Sequence, residues 1–194
     1  MSHAFAAEVD EVTVARARKG DLAALEDVFR AFETPVFNLA RRLLGNGHDA
    51  EDVLQETFLE VIRSIRSYRG DGPLGAWLRR VTASKALMRL RRQRVRPEDE
   101  PLDDAIGDGD GHASHPPHPS RVPERVDLEA ALAEMSATAR AVVWLHDVEG
   151  YTHDEIATLM GKSASFSKSQ LARAHLRLRA LLAPGGDARS CTQA

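Results

Sequence analysis

At 194 residues, with a formal net charge of −3 and 5% aromatic residues, the chain has room for one large domain or two small ones. Few aromatics beside abundant Ala, Leu and Arg argue against sheets, which favour β-branched and aromatic side chains. The one cysteine, Cys191, can form neither an internal disulfide nor a cysteine zinc site, MSHAFAAEVDEV lacks the pattern of a secretory signal, and no apolar run nears the ~20 residues of a membrane span, so a cytoplasmic protein without membrane insertion is expected.

From Asp21 onward apolar residues recur at helical spacing: Leu22, Leu25, Val28, Phe29 and Phe32, then Val36, Leu39, Ala40 and Leu43. Pro35 predicts a kink there, or a break with Thr34 capping a second helix, and Gly45-Asn46-Gly47 ends the run. Asp49 reads as the N-cap of the next helix, whose inner face is Val53, Leu54, Phe58, Val61, Ile62 and Ile65. After the turn Gly70-Asp71-Gly72-Pro73, a third helix begins near Leu74 with Leu74, Trp77, Leu78, Val81 and Met88 as its apolar stripe. These helices are long enough to enclose a core as a three-helix bundle, so residues 1–96 form the expected first domain.

Residues 97–127 differ in character. They hold six of the nine prolines and nine carboxylates against Arg121 and Arg125, with few large apolar side chains. Such a stretch cannot bury enough surface to offset its ordering entropy and is read as a flexible acidic linker. Its His112, His115 and His118 match no helical metal-ligand spacing, and no metal site is expected. Helices resume at 128–134 and 137–148. Thr152-His153-Asp154-Glu155 is a capping box, Gly161 closes that short helix, and Ser163 can cap one running towards Leu182. Two short helices around a tight Gly-containing turn make a helix-turn-helix, so 128–184 form the second domain, followed by a disordered tail at 185–194. The fold class is all-α: two small helical domains on a flexible linker.

Charge is distributed unevenly along this frame. Between Arg63 and Arg96 there are ten arginines and Lys85 against a single carboxylate, Asp71. From Lys162 to Leu182 there are five more cations and no acid. Two one-signed basic helices in different modules are the footprint of a polyanion, because each neutralised phosphate releases counterions. The acidic linker is placed to screen or compete for these faces. In a helix-turn-helix the second helix enters the major groove. With Ser167, Leu171, Ala174, Leu178 and Leu181 inward, Ser165, Phe166, Lys168, Ser169, Gln170 and Arg173 point outward. Gln170 suits an adenine edge and Lys168 a guanine or phosphate, while Phe166 suits either a thymine methyl or the module's own core. No Gly-rich phosphate loop, histidine pair on one helix face or nucleophile–base pair is present, so neither enzyme nor cofactor is expected.

Two sets of motifs resemble one family. Asp49-Ala50-Glu51-Asp52-Val53-Leu54-Gln55-Glu56-Thr57-Phe58 and Trp77-Leu78-Arg79-Arg80-Val81 in the first half are similar to the promoter-recognition module of extracytoplasmic-function (ECF) sigma factors. Glu149-Gly150-Tyr151-Thr152-His153-Asp154-Glu155-Ile156-Ala157 and Lys168-Ser169-Gln170-Leu171-Ala172-Arg173-Ala174 resemble that family's reader module. The resemblance covers roughly 20–94 and 128–182. It implies that Asp52, Gln55 and Glu56 dock on core RNA polymerase. It also implies that Tyr68, Arg79, Arg80, Ser84, Lys85, Arg91 and Arg92 hold the minus-ten promoter element as single-stranded DNA, with Tyr68 stacking on a base. The six residues of the reader helix would then contact the minus-thirty-five element as duplex, and an anti-sigma protein is an implied partner. Departures fall at Ser84 for asparagine, Met88 for aspartate, Ser167 for valine and Gln170 for arginine. They bear on which promoter is read, and Ser167 on the second module's stability. The alternative is a free-standing helix-turn-helix regulator that binds an operator without polymerase.

Overall fold

Asp21 opens the longest helix by accepting from the backbone N–H groups of Ala23 and Ala24, at 3.0 and 3.2 Å. In a computed structural model of the protein, which describes residues 3–94 and 123–182, this helix is one of eight. They are α1 (Glu11–Arg18), α2 (Leu22–Leu44), α3 (Gly47–Ser64), α4 (Leu74–Arg94), α5 (Pro123–Ala133), α6 (Ala137–Val143), α7 (His153–Met160) and α8 (Ala164–Leu182). No strand occurs among the described residues. None of the described helices is long and apolar enough to cross a membrane. The expected linker interior, with His112, His115 and His118, and the tail with Cys191 lie outside the described residues.

Helix α2 runs through Pro35 without a break, so Thr34 caps nothing, and ends at Gly45 with a left-handed φ of 82°. Asn46, rather than Asp49, is the N-cap of α3: its side-chain oxygen accepts from the Asp49 N–H at 2.8 Å. Asp49 then sits inside the first turn and is free to reach another helix. Helices α2, α3 and α4 surround a core of Val28, Phe32, Val36, Leu39, Leu43, Val53, Val61, Ile65 and Leu78, all nearly inaccessible. Each such side chain contributes about 1.5–3 kcal/mol of burial.

Several expected core positions face outward. Ile62 is 56% exposed and Met88 36%, while Leu22 lies in the open. On α4 the buried positions are Leu74, Leu78, Thr82, Ala83, Ala86 and Leu87, so the stripe rotates away from Met88. Trp77 is half-buried rather than central. Upstream of α2, Asp10 caps α1 and Ala17 is buried. Phe5 is also buried and stacks on Phe32.

In the second module, α5 begins at Pro123, five residues before the expected start of that domain at 128. The helix expected over 137–148 changes type midway: after α6, Trp144–Val148 form a π-helical turn closed by Glu149 N–H to the Trp144 carbonyl at 2.9 Å. The extra residue in that turn places Leu145 in the core and Glu149 against the first module. The Thr152 capping box forms as expected, and Gly161 turns α7 into α8 with φ 64°. The buried apolar residues of the two modules belong to one connected cluster.

Candidate nucleic-acid interface

Helix α8 is positioned by small residues on its inner face. Ser163 caps it by accepting from the Phe166 N–H at 3.1 Å, and Ser167, Leu171 and Ala174 are buried. Ser167, a hydroxyl in a core, is fully buried but pairs with the His153 Nδ1 at 3.0 Å. That bond offsets much of the apolar burial given up at this position. On the opposite face Ser165, Lys168, Ser169 and Arg173 are exposed, as expected. Gln170 is half-buried at the edge of that face. Phe166 is half-buried with the Lys162 ammonium 5.6 Å from its ring centroid, which favours the module-packing reading of its ring.

A histidine cluster braces this module. The rings of His146 and His153 stack at 4.5 Å, and Asp147 joins His146 at 2.8 Å and His175 at 2.7 Å. Burial works to raise the Asp147 pKa, but the hydrogen bonds from His175 and His146 outweigh it and hold the carboxyl below its ordinary value. Burial, followed by the nearby His146 and Lys168, lowers the pKa of His153. Among the described residues no group of three His, Cys, Asp or Glu is arranged to hold a metal ion.

Helix α4 is built differently. Three of its seven cations are engaged within the protein. Arg89 bridges α4 to α3, donating to Asp49 and to Asp52, each at 2.6 Å, and Gln93 adds a bond to Asp49 at 2.7 Å. Burial acts to raise the Asp49 pKa, yet the bonds from Asn46, Gln93 and Arg89 together hold it below the ordinary value. Lys85 pairs with Glu60 at 3.1 Å. Arg79 crosses to the second module, donating to the Glu149 carbonyl at 2.7 Å and lying 4.9 Å from the Tyr151 ring centroid. Arg80, Arg91 and Arg92 stay exposed, and Ser84 is half-buried. The Tyr68 ring packs on Trp77 at 5.7 Å and its hydroxyl donates to the Gly72 carbonyl, so Tyr68 closes the loop before α4.

Asp52, Gln55 and Glu56 share the outward face of α3, with Gln55 exposed and the carboxylates half-buried. Leu59 and Ile62, 51% and 56% exposed, continue that face at spacings of three and four. The acidic patch expected there is therefore half apolar. Periodicity had assigned Ile62 to the core and gave no signal for Leu59. Charge counting likewise could not find the Arg89–Asp49–Asp52 network or the Arg79–Glu149 contact, because both join residues far apart in sequence.

Residues 28–96 match the family model for sigma-70 region 2, and residues 125–178 match the model for sigma-70 region 4. The chain is 38% identical over 169 residues to the ECF RNA polymerase sigma factor SigE of Mycolicibacterium smegmatis, covering 84% of this chain and 65% of that relative. It is 32% identical to the ECF RNA polymerase sigma factor SigM of Mycobacterium tuberculosis, covering 84% of this chain and 79% of SigM. It is 34% identical to the RNA polymerase sigma factor CarQ of Myxococcus xanthus, covering 86% of this chain and 94% of CarQ. Among solved structures, the sigma factor RpoE in complex with the anti-sigma factor NepR from Bartonella quintana shares the fold at TM-score 0.55 and 23% identity, covering 81% of this chain and 95% of that one.

Proposed function

The chain belongs to the ECF RNA polymerase sigma factors, and from that premise we propose how its residues divide the work of starting transcription. As a member of that family it is a transcription-initiation factor rather than an enzyme, and its place of work is the cytoplasm. The outward face of α3, with Asp52, Gln55, Glu56, Leu59 and Ile62, docks on core RNA polymerase. An acidic rim around an apolar strip suits a basic partner surface, giving steering from the charges and affinity from the buried leucine and isoleucine.

Exposed Arg80, Arg91 and Arg92 on α4, with Ser84 between them, contact the single-stranded minus-ten element. Arg79 and Lys85 reach it only on leaving Glu149 and Glu60. Tyr68 shapes the loop beside Trp77 and presents its outer ring face to an unstacked base. Helix α8 reads the minus-thirty-five duplex through Ser165, Lys168, Ser169, Gln170 and Arg173, with Phe166 setting the helix against its own module. The observation that carries this reading is the pairing of two modules in family order, each presenting one basic helix. By likeness to the RpoE–NepR complex, an anti-sigma protein is the expected inhibitor.

Footprinting with and without core polymerase tests the assignment. The expected result is sequence-specific protection of two elements, with local melting of the downstream one, only when core is present. Specific protection of a palindromic operator by the free chain would overturn it in favour of a stand-alone regulator.

A further inference from the structure

Helix α8 is pinned at two points by one network of ionisable groups. Near its start, the buried Ser167 hydroxyl meets His153 Nδ1 at 3.0 Å, and His153 is the first residue of α7. About two turns further along, His175 Nε2 meets Asp147 Oδ2 at 2.7 Å, and Asp147 lies in the π turn. The two pins are joined. Asp147 Oδ1 also holds His146 Nδ1 at 2.8 Å, and the His146 ring stacks on His153 at 4.5 Å. Ser167 sits among the exposed Ser165, Lys168 and Ser169, so the reading face is one hydrogen bond from an imidazole.

Charge in this network does not balance once protons are added. Three imidazoles share one carboxylate, so Asp147 neutralises one imidazolium and leaves further charge facing another ring. The groups facing His153 come from three elements. The π turn brings His146 and Asp147, α7 brings Asp154, and α8 brings Lys168 and, through Asp147, His175. Arg140, the charged residue of α6, is turned away towards the Leu44 carbonyl. His153 also stands at the N-terminal end of α7, where the helix dipole opposes a cation. Burial, His146 and Lys168 outweigh Asp154 and Asp147, and the His153 pKa falls below its ordinary value.

We propose that His153, with His146, Asp147 and His175, sets the seat of α8 for duplex reading and makes that reading proton-dependent, so that acidification weakens it. This role rests on the assignment of α8 to the minus-thirty-five duplex. His153 is a positioning residue that acts through Ser167. A proton on His153 sets a cation against His146 and beside Lys168. The repulsion pushes α7 from the π turn and from α8 at the end that carries Ser165, Lys168 and Ser169. Added cations alone would strengthen binding to any duplex through its phosphates. A fall confined to the matched sequence is therefore the signature of a displaced helix.

The test measures duplex binding by the full-length chain assembled with core polymerase, from about pH 7.5 down to about pH 5.5. One labelled duplex carries the upstream element that this assembly protects in footprinting, and the other carries the same bases in scrambled order. Discrimination between them should fall about tenfold. A reading arrangement that excludes one proton of ordinary imidazole pKa, ~6.5, loses about that factor by pH ~5.5. His153→Asn keeps a hydrogen-bonding group near the Nδ1 position and cannot be charged, so it should flatten the profile. If that variant does not fold, His146→Phe, which keeps a ring over His153 without its charge, should shrink the fall. Unchanged discrimination in wild type, or the same fall in wild type and variant, overturns the positioning role. So does a parallel loss of helix in the free chain by circular dichroism, which would make the effect acid unfolding. Failure to tell the duplexes apart at about pH 7.5 sinks the function assignment and this role with it, whereas discrimination that ignores pH sinks the role alone.

Discussion

Helix α4 carries seven cations in 21 residues and α8 four in 19, neither with an acid, and the fold spends the two sets differently. On α4, Arg89 and Lys85 are engaged by carboxylates of α3, and Arg79 by the second module. On α8, Lys168, Arg173, Arg177 and Arg179 form no ion pair with a described residue. The physical reason lies in what each helix packs against. Helix α4 crosses α3, whose Asp49, Asp52 and Glu60 face it. Helix α8 packs its small residues against α6 and α7, where the carboxylate in reach, Asp147, is held by His146 and His175. A basic sequence therefore has two structural meanings: one helix is partly internal scaffold, the other a free electrostatic surface.

Arg89→Ala should break that contrast most severely. It leaves Asp49, buried against α4, without its cation, and should cost the first module about 2–3 kcal/mol. Urea unfolding followed by Trp77 fluorescence measures it; a loss below about 0.5 kcal/mol would make α4 as uncommitted as α8. Ser167→Ala should cost about 1 kcal/mol in the second module, because the His153 ring loses its buried partner. Trp144 fluorescence reads it, and an increase in stability would show that the hydroxyl only impairs packing there.

Acidification should separate the modules next. The pKa of His153 is lowered on folding, so as pH falls below about 6.5 the unfolded chain takes up a proton that the folded module resists. Its stabilisation is present above that value and lost as pH falls towards the depressed folded pKa. Asp49 and Asp147 are also depressed, and their contributions are present above about 3.9 and lost only below it. The second module should therefore soften first, as pH falls below about 6.5, as melts read at Trp144 and Trp77 would show. Simultaneous softening of both would contradict the distinct roles given to His153 and Asp49.

The smallest effect belongs to the open helix. Arg173→Ala should change stability by less than about 0.5 kcal/mol while lowering the salt slope of duplex binding by about one. A large stability loss would mean that α8 is scaffold after all.

How much of this was legible in the sequence follows the same division. Local signals were readable: the Thr152 capping box, the Gly161 turn, buried Ser167 and the exposed Ser165, Lys168, Ser169 and Arg173 stand where spacing put them, while Phe166 and Gln170 are half-buried. Where several residues competed for one task, the reading slipped. Asn46 took the cap from Asp49, and Met88 ceded the α4 stripe to Leu87 and Ala83. Helix α1 escaped notice because it buries little beyond Ala17. The π turn at Trp144–Val148 was invisible to a period of 3.6, though it sets where Glu149 points. Partners of the arginines were illegible, since charge along the chain does not say which carboxylate folding brings near.

The most direct test of the central claim is run-off transcription with purified core polymerase on a library of genomic fragments. The account predicts that the chain selects a small set of templates with defined start sites. It further predicts that Arg80→Ala/Arg92→Ala abolishes melting around the start while keeping upstream protection. No template selected by a folded, core-binding preparation would contradict it.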